Sequence, residues 1–217
     1  MNERVLYVVS CAAPPVLRVE TLIDLAQGAG WDTCLILTPA AARWREKDLF
    51  SLSQRTGHPV RSQYKLPREP DVLPPAGAML VCPATANTIN KWALGISDTL
   101  ALGLITEAIG RRLPLAALPC CNAAQARHPA FGTSVSVLRS AGVTVLLGAG
   151  GFVPREPGQG GGEEFPWQAG LDALVNDAVP NDGGPNDAVP NGFPAPPADG
   201  VWDARPGEQQ WGTPWGT

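Results

Sequence analysis

The segment Pro83-Ala84-Thr85-Ala86-Asn87-Thr88 combines a rigid turn, small side chains, and hydroxyl and amide groups. It directly follows the apolar run 79–82, so it should lie where a strand leads into a helix. At such a junction the first-turn N–H groups and the positive end of the helix dipole can bind an anion. Thr and Asn are also ordinary helix caps, so the residues alone leave a ligand-binding role and a purely structural role both open.

Apolar runs typical of strands alternate with patterns typical of amphipathic helices along most of the chain. The runs lie at residues 5–9, 33–37, 79–82, 115–118 and 143–147. The helical patterns lie at 14–28, 40–52, 85–109 and 130–141. This alternation predicts an α/β domain with a doubly wound parallel sheet and helices on both of its faces, a three-layer α/β/α architecture.

In a doubly wound sheet, ligands bind outside the carboxyl ends of the strands. The loops that follow the predicted strands should therefore gather along one edge and form the candidate site. These loops span residues 10–14, 38–41, 83–88, 119–129 and 148–162.

The last fifth of the chain differs in composition from the rest. The sequence Asn-Asp-Ala-Val-Pro-Asn at residues 176–181 recurs at 186–191, in surroundings rich in Gly and Pro with little apolar content to bury. We predict one folded domain, residues 1–175, followed by a disordered tail, residues 176–217. Three tryptophans in that tail are open to two interpretations, a short docking motif or an extension with no role.

Charge and cysteine content exclude several functional classes. The net charge is -4, and no run of Lys or Arg is long enough to form the basic patch of a nucleic-acid-binding protein. The first apolar run is too short for a signal peptide or a membrane span, which predicts a cytoplasmic protein without a membrane partner. The five cysteines show no C-x-x-C spacing, so we expect neither a disulfide framework nor a metal site.

Residues 83–100 resemble the PASANT segment and the following helix of the flavoprotein family that contains the phosphopantothenoylcysteine and peptidyl-cysteine decarboxylases. The resemblance implies a flavodoxin-like (Rossmann-like) fold with FMN as the cofactor. It also implies that cofactor contacts come from Pro83, Ala84, Thr85, Ala86 and Asn87.

A second segment, residues 118–129, occupies the place of the family motif P-x-M-N-x-x-M-W, which a His-Pro pair usually follows. The matching residues are Asn122, His128 and Pro129, whereas the two Met and the Trp are replaced by Cys121, Gln125 and Ala126. The resemblance implies that Asn122 is catalytic and hydrogen-bonds the substrate carboxylate. It further implies that Cys120 is a neighbour of the flavin.

The first two loops are expected to bind the phosphate end of FMN. After the first strand the family commonly has Gly-Ser, where this chain has Cys11-Ala12. Backbone N–H groups of Ser10, Cys11 and Ala12, together with the Ser10 hydroxyl, can still supply donors. Thr38 either donates to a phosphate or ribityl oxygen or is only a turn residue before a proline.

The catalytic base and the substrate loop depart from the family pattern. Family decarboxylases carry a His in a segment P-V-x-H, where this chain reads Pro59-Val60-Arg61-Ser62. The nearby imidazole is that of His58, which becomes the candidate catalytic base. The loop 150–155 lacks the Cys of the pantothenate-pathway enzymes, which favours the peptidyl-cysteine type of reaction.

The resemblance therefore implies an FMN-dependent oxidative decarboxylation of a cysteine-type carboxylate, either a small molecule or the end of a peptide. Oxidation of the thiol to a thioaldehyde makes loss of carbon dioxide possible, and the flavin supplies that chemistry. Asn122 or Arg61 would bind the carboxylate. The alternative is a non-catalytic FMN-binding regulatory or assembly subunit. Either form is expected to be a homo-oligomer, a trimer or a dodecamer.

Overall fold

The computed structural model describes residues 4–159 and 165–176. Within these residues the chain forms a five-stranded parallel sheet in the order β2-β1-β3-β4-β5. The strands are β1 Val5–Ser10, β2 Asp32–Leu37, β3 Ala78–Ala84, β4 Leu115–Pro119 and β5 Thr144–Val145. This order is that of flavodoxin-like doubly wound sheets, and the predicted fold class is confirmed.

Helices cover both faces of the sheet. They are α1 Val19–Gly28, α2 Pro39–Trp44, α3 Leu49–Thr56, α4 Ala86–Ala93, α5 Leu100–Gly110, α6 Ala123–Ala126, α7 Pro129–Ser140 and α8 Trp167–Asn176. Helices α4, α5 and α7 pack on one face, and α1, α3 and α8 contribute to the core on the other. Every residue of β1, β3 and β4 is buried, which explains why the sequence shows continuous apolar runs there.

Two predicted helices are each divided in the structure. The pattern at 85–109 forms α4 and α5, because Gly95 takes a positive φ of 69° and the hydroxyl of Thr99 caps α5 by accepting from Leu102 N–H. The pattern at 40–52 forms α2 and α3, separated by a short 3₁₀ turn, Glu46–Asp48. At that break the buried guanidinium of Arg45 pairs with Glu20 and Asp48.

The last predicted strand is shorter than its apolar run, because only Thr144 and Val145 pair with β4. Helix α8 packs against β3 and β4. The predicted disordered tail lies outside the described residues apart from Asn176. Among the described residues, no helix is long and apolar enough to cross a membrane.

Candidate active site

A cavity of about 560 Å³ opens at the carboxyl ends of β1, β3 and β4. This volume is typical of a small-molecule site. Four of the five predicted loops line it, and the loop 38–41 after β2 contributes none of the described lining residues. The lining residues include Ala12, Thr85, Ala86, Asn87, Cys120, Asn122, Gln125, Gly151, Phe152, Arg155 and Glu156.

The turn between β3 and α4 forms the inner wall of the cavity. Thr85 is the N-cap of α4 and its hydroxyl accepts from Thr88 N–H at 3.4 Å, while Ala86 and Asn87 form the first turn. Pro83 and Ala84 are buried behind this wall. Of the five residues expected to contact the cofactor, the structure therefore places the last three on the cavity.

The buried pair Pro83 and Ala84 holds the neighbouring loops through its carbonyl groups. The carbonyl of Pro83 accepts from Cys11 N–H at 3.0 Å, and that of Ala84 accepts from Cys120 N–H at 2.8 Å. These bonds fix the loops after β1 and β4 beside the β3–α4 turn. The two residues position the neighbouring loops and do not line the cavity.

The loop after β1 brings fewer of its predicted residues to the cavity than expected. The Ser10 hydroxyl is fully buried and donates to the carbonyl of Cys82 at 2.6 Å, so it cannot serve a ligand. The thiol of Cys11 is also buried, and it donates to the Thr88 hydroxyl at 3.2 Å. Of the three predicted residues only Ala12 lines the cavity, because the side chains of the other two continue the buried faces of the sheet.

The thiols near the cavity are held in the neutral form. Burial, together with smaller effects of neighbouring Cys121 and Cys11, raises the pKa of Cys120 to about 12. Burial also raises the pKa of Cys11, against the opposing effect of hydrogen bonds with Thr88 and Thr85. Since the thiolate is the reactive form of cysteine, Cys120 is a neutral wall residue at physiological pH and not a nucleophile.

Asn122 is the N-cap of α6 and forms a reciprocal capping box with Gln125. The Oδ1 atom of Asn122 accepts from Gln125 N–H at 2.8 Å, and Oε1 of Gln125 accepts from Asn122 N–H at 3.2 Å. Both side chains line the cavity. In the family motif Gln125 stands only as the replacement of a methionine, but the spacing Asn-x-x-Gln is also the signature of a capping box.

The outer wall is the loop after β5, and it is fastened to α6. The carbonyl of Arg155 accepts from Ala123 N–H at 2.7 Å. Arg127 and Glu156 form a bidentate ion pair, with Nη1–Oε1 and Nη2–Oε2 distances of 2.7 and 3.1 Å. This hydrogen bonding lowers the pKa of Glu156. The outer wall is thus joined to both ends of α6.

The same loop is shaped by a close backbone approach at Gly151. A Cβ at this position would collide with the carbonyl oxygen of Leu146, so only glycine fits. The next residue, Phe152, lines the cavity and packs against the ring of Phe165 with centroids 5.8 Å apart. These contacts place an apolar side chain on the wall of the cavity.

The flavoprotein family model matches residues 2–175 of this chain. The chain belongs to the flavoprotein family. A curated cysteine/cysteine sulfinic acid decarboxylase from an unknown prokaryotic organism is 36% identical over 81 residues. These residues cover 37% of this chain and 19% of the decarboxylase. The coenzyme A biosynthesis bifunctional protein CoaBC of Bacillus subtilis is 28% identical over 158 residues, 70% of this chain and 37% of its own length. The chain thus spans well under half the length of these curated relatives.

Solved structures share the fold of this flavoprotein. The FMN-dependent cysteine decarboxylase SpaF superposes with a TM-score of 0.63 and 23% identity, covering 82% of this chain and 98% of SpaF. TvaF, an FMN-dependent cysteine decarboxylase from thioviridamide biosynthesis, gives a TM-score of 0.62 and 19% identity, covering 81% and 98%. At these identities the likeness establishes the fold.

Two predicted site residues of the flavoprotein lie away from the cavity. The Nε2 atom of His58 lies 2.7 Å from Oδ1 of Asp32, the first residue of β2, at the amino edge of the sheet. The cavity is at the opposite, carboxyl edge, so the structure does not bring His58, the predicted catalytic base, to this cavity. Thr38 caps α2 by accepting from Ala41 N–H at 3.4 Å, as a structural turn residue does.

Arg61, the alternative carboxylate ligand, also lies away from the cavity. Its backbone pairs with β2 beside Ile36, and its side chain lines a second cavity of about 390 Å³ against α5. Asn122 is therefore the predicted carboxylate ligand that the structure brings to the flavoprotein's main cavity.

Proposed function

We propose that residues 1–175 bind FMN in the main cavity and catalyse the oxidative decarboxylation of a cysteine-type carboxylate, with the C-terminal cysteine of a peptide as the substrate. The observation that carries this proposal is that Thr85, Ala86 and Asn87 share one cavity with Asn122. The names of relatives support it, since SpaF and TvaF are FMN-dependent cysteine decarboxylases and a curated relative is a cysteine decarboxylase. These names favour an enzyme over a non-catalytic subunit.

The residues of the cavity fit FMN. The small side chains of Ala12 and Ala86 leave room for a ring to approach the backbone, and the first turn of α4 offers N–H donors to an anion. Thr85 and Asn87 add polar groups at the same wall, and Cys120 adds a neutral, polarisable one. These residues would hold the cofactor, which supplies a two-electron oxidant when bound.

The other residues of the cavity would position the substrate. Because Oδ1 of Asn122 is directed at the backbone of α6, its Nδ2 group is the part left to donate to the substrate carboxylate. Phe152 on the cavity wall would exclude water around the reacting thiol and carboxylate. The chain's contribution is therefore orientation and desolvation of the substrate.

Assembly is also part of the proposal. We propose a cytoplasmic homo-oligomer, a trimer or a dodecamer. Leu94 and Ile96, at the break between α4 and α5, are 74% and 39% exposed and give that contact apolar surface. Sedimentation velocity of the purified chain would measure the assembly size directly.

The proposed reaction predicts a specific mass change. Under anaerobic conditions, FMN-loaded protein given a peptide ending in cysteine should bleach its flavin absorbance, and the peptide should lose carbon dioxide and two hydrogen atoms. The same peptide with a C-terminal amide is the control, because it lacks the leaving carboxylate. Bound flavin that stays oxidised would show a non-catalytic subunit, and protein that takes up no FMN would overturn the proposal.

The ion pair between Arg127 and Glu156 should affect substrate binding more than stability. These side chains are 64% and 52% exposed, and exposed pairs contribute little to folding. Replacing Glu156 with glutamine loosens the outer wall, so we expect KM for the peptide to rise several-fold while kcat and the melting temperature stay near wild type. Steady-state kinetics and thermal melting would measure these effects.

The matched control for this variant is Glu107→Gln, which weakens the exposed pair with Arg111 on α5, away from the main cavity. It should leave KM unchanged. An equal KM change in both variants would mean that the ion pair at Glu156 has no particular connection with the site.

A further inference from the structure

Two residues with side-chain amide groups, Asn122 and Gln125, line the main cavity at the N-terminal end of α6. They are three residues apart, the spacing that places two side chains on one side of a helical turn. Each side-chain oxygen accepts a backbone N–H of the other residue, at 2.8 and 3.2 Å. The reciprocal bonds fix the orientation of both amide groups, so both side chains present their NH₂ groups away from the helix start.

We propose that Gln125 is a second binding residue for the substrate carboxylate, acting together with Asn122. This inference rests on the proposed function, because it concerns the substrate of that reaction. A carboxylate has two oxygens that only accept hydrogen bonds, and the two NH₂ groups only donate them. One amide can therefore bind each oxygen.

The charges around the two amides suit an anion. Arg155 lines the same cavity, and its carbonyl is bonded to Ala123 N–H within α6. The one carboxylate among the described lining residues is that of Glu156, and Arg127 neutralises it through two hydrogen bonds. Among the described lining residues, a substrate carboxylate at Asn122 and Gln125 thus meets donors and no unpaired carboxylate.

The variant Gln125→Glu tests this assignment with little change in shape. Glutamate keeps an oxygen that can accept from Asn122 N–H, so the capping box is retained. It replaces the NH₂ donor with a negatively charged oxygen that repels the substrate. Since hydrogen bonds to charged groups are the strong ones, we expect KM for the cysteine peptide to rise about 10- to 100-fold. FMN affinity and the far-UV circular dichroism should stay unchanged.

The control is Gln54→Glu, which adds the same charge at an exposed position of α3 that does not line the main cavity. Peptide binding to the FMN-loaded protein would be measured by calorimetry as well as by kinetics. The expected result is weaker binding of the free-carboxylate peptide to Gln125→Glu alone, with kcat much less affected than KM.

Two results would overturn the inference, and only one of them would also contradict the proposed function. If the wild-type protein binds the peptide and Gln125→Glu binds it equally well, Gln125 does not contact the carboxylate and the proposed function stands. If the wild-type protein takes up FMN but binds no cysteine peptide, the proposed substrate class fails and the inference fails with it.

Discussion

Replacing Ala86 with leucine should lower the affinity for FMN by about 10- to 100-fold, as expected when a larger side chain is forced into a fitted space. Ala86 is the first residue of α4 and lines the cavity, where the flavin ring of the proposed function would lie close to the backbone. Leucine is a good helix former, so α4 itself should persist. Quenching of FMN fluorescence on titration with the apoprotein would give the dissociation constant.

The matched control for this prediction is Ala130→Leu. Ala130 also lies in the first turn of a helix, α7, but it is exposed and does not line the cavity. This variant should bind FMN as the wild type does. FMN binding by Ala86→Leu equal to that of the control would place the flavin somewhere other than against the β3–α4 turn.

The fold could be predicted from the sequence because its main signals are local. Residues 5–10 are buried on both faces, so almost every position is apolar and the strand is visible without knowledge of its neighbours. The gathering of four loops around one cavity followed from the general rule for doubly wound sheets. The turn at Thr85 was recognisable because small and capping residues stand together at the end of such a strand.

The orientation of individual side chains could not be predicted, because it depends on distant partners. The sequence gives no sign that His58 pairs with Asp32, which precedes it by 26 residues. The Ser10 hydroxyl bonds to the carbonyl of Cys82, 72 residues away, and is lost to any ligand. In both cases a long-range contact inside the fold determined where a chemically attractive group points.

The division of the predicted helix 85–109 shows a different limit. Its apolar stripe continues through Ile96 into α5, so periodicity alone favours one helix. Gly95 and Thr99 are the local signals for an end and a new start, since glycine accepts the positive φ and threonine caps the next helix. These two residues, and not the periodicity, mark the break between the two helices.

Replacing Asn122 with aspartate should lower kcat/KM for the cysteine peptide by about 100-fold or more, because a carboxylate donor is lost and a negative charge is added in its place. Aspartate is as good an N-cap as asparagine, and its oxygen can still accept from Gln125 N–H, so α6 should remain folded. FMN affinity should be unchanged, since the cofactor would lie against α4. Anaerobic stopped-flow measurement of flavin bleaching would give the rate.

A second variant, Asn122→Ser, separates the two causes of this loss. Serine also caps a helix but carries neither the amide donor nor the negative charge. If repulsion adds to the loss of the donor, Asn122→Ser should retain more activity than Asn122→Asp. Activity of Asn122→Asp should also recover in part as the pH falls, because a carboxyl group beside a bound carboxylate has a raised pKa and can donate once protonated. Wild-type kcat/KM in both variants would remove Asn122 from the substrate site.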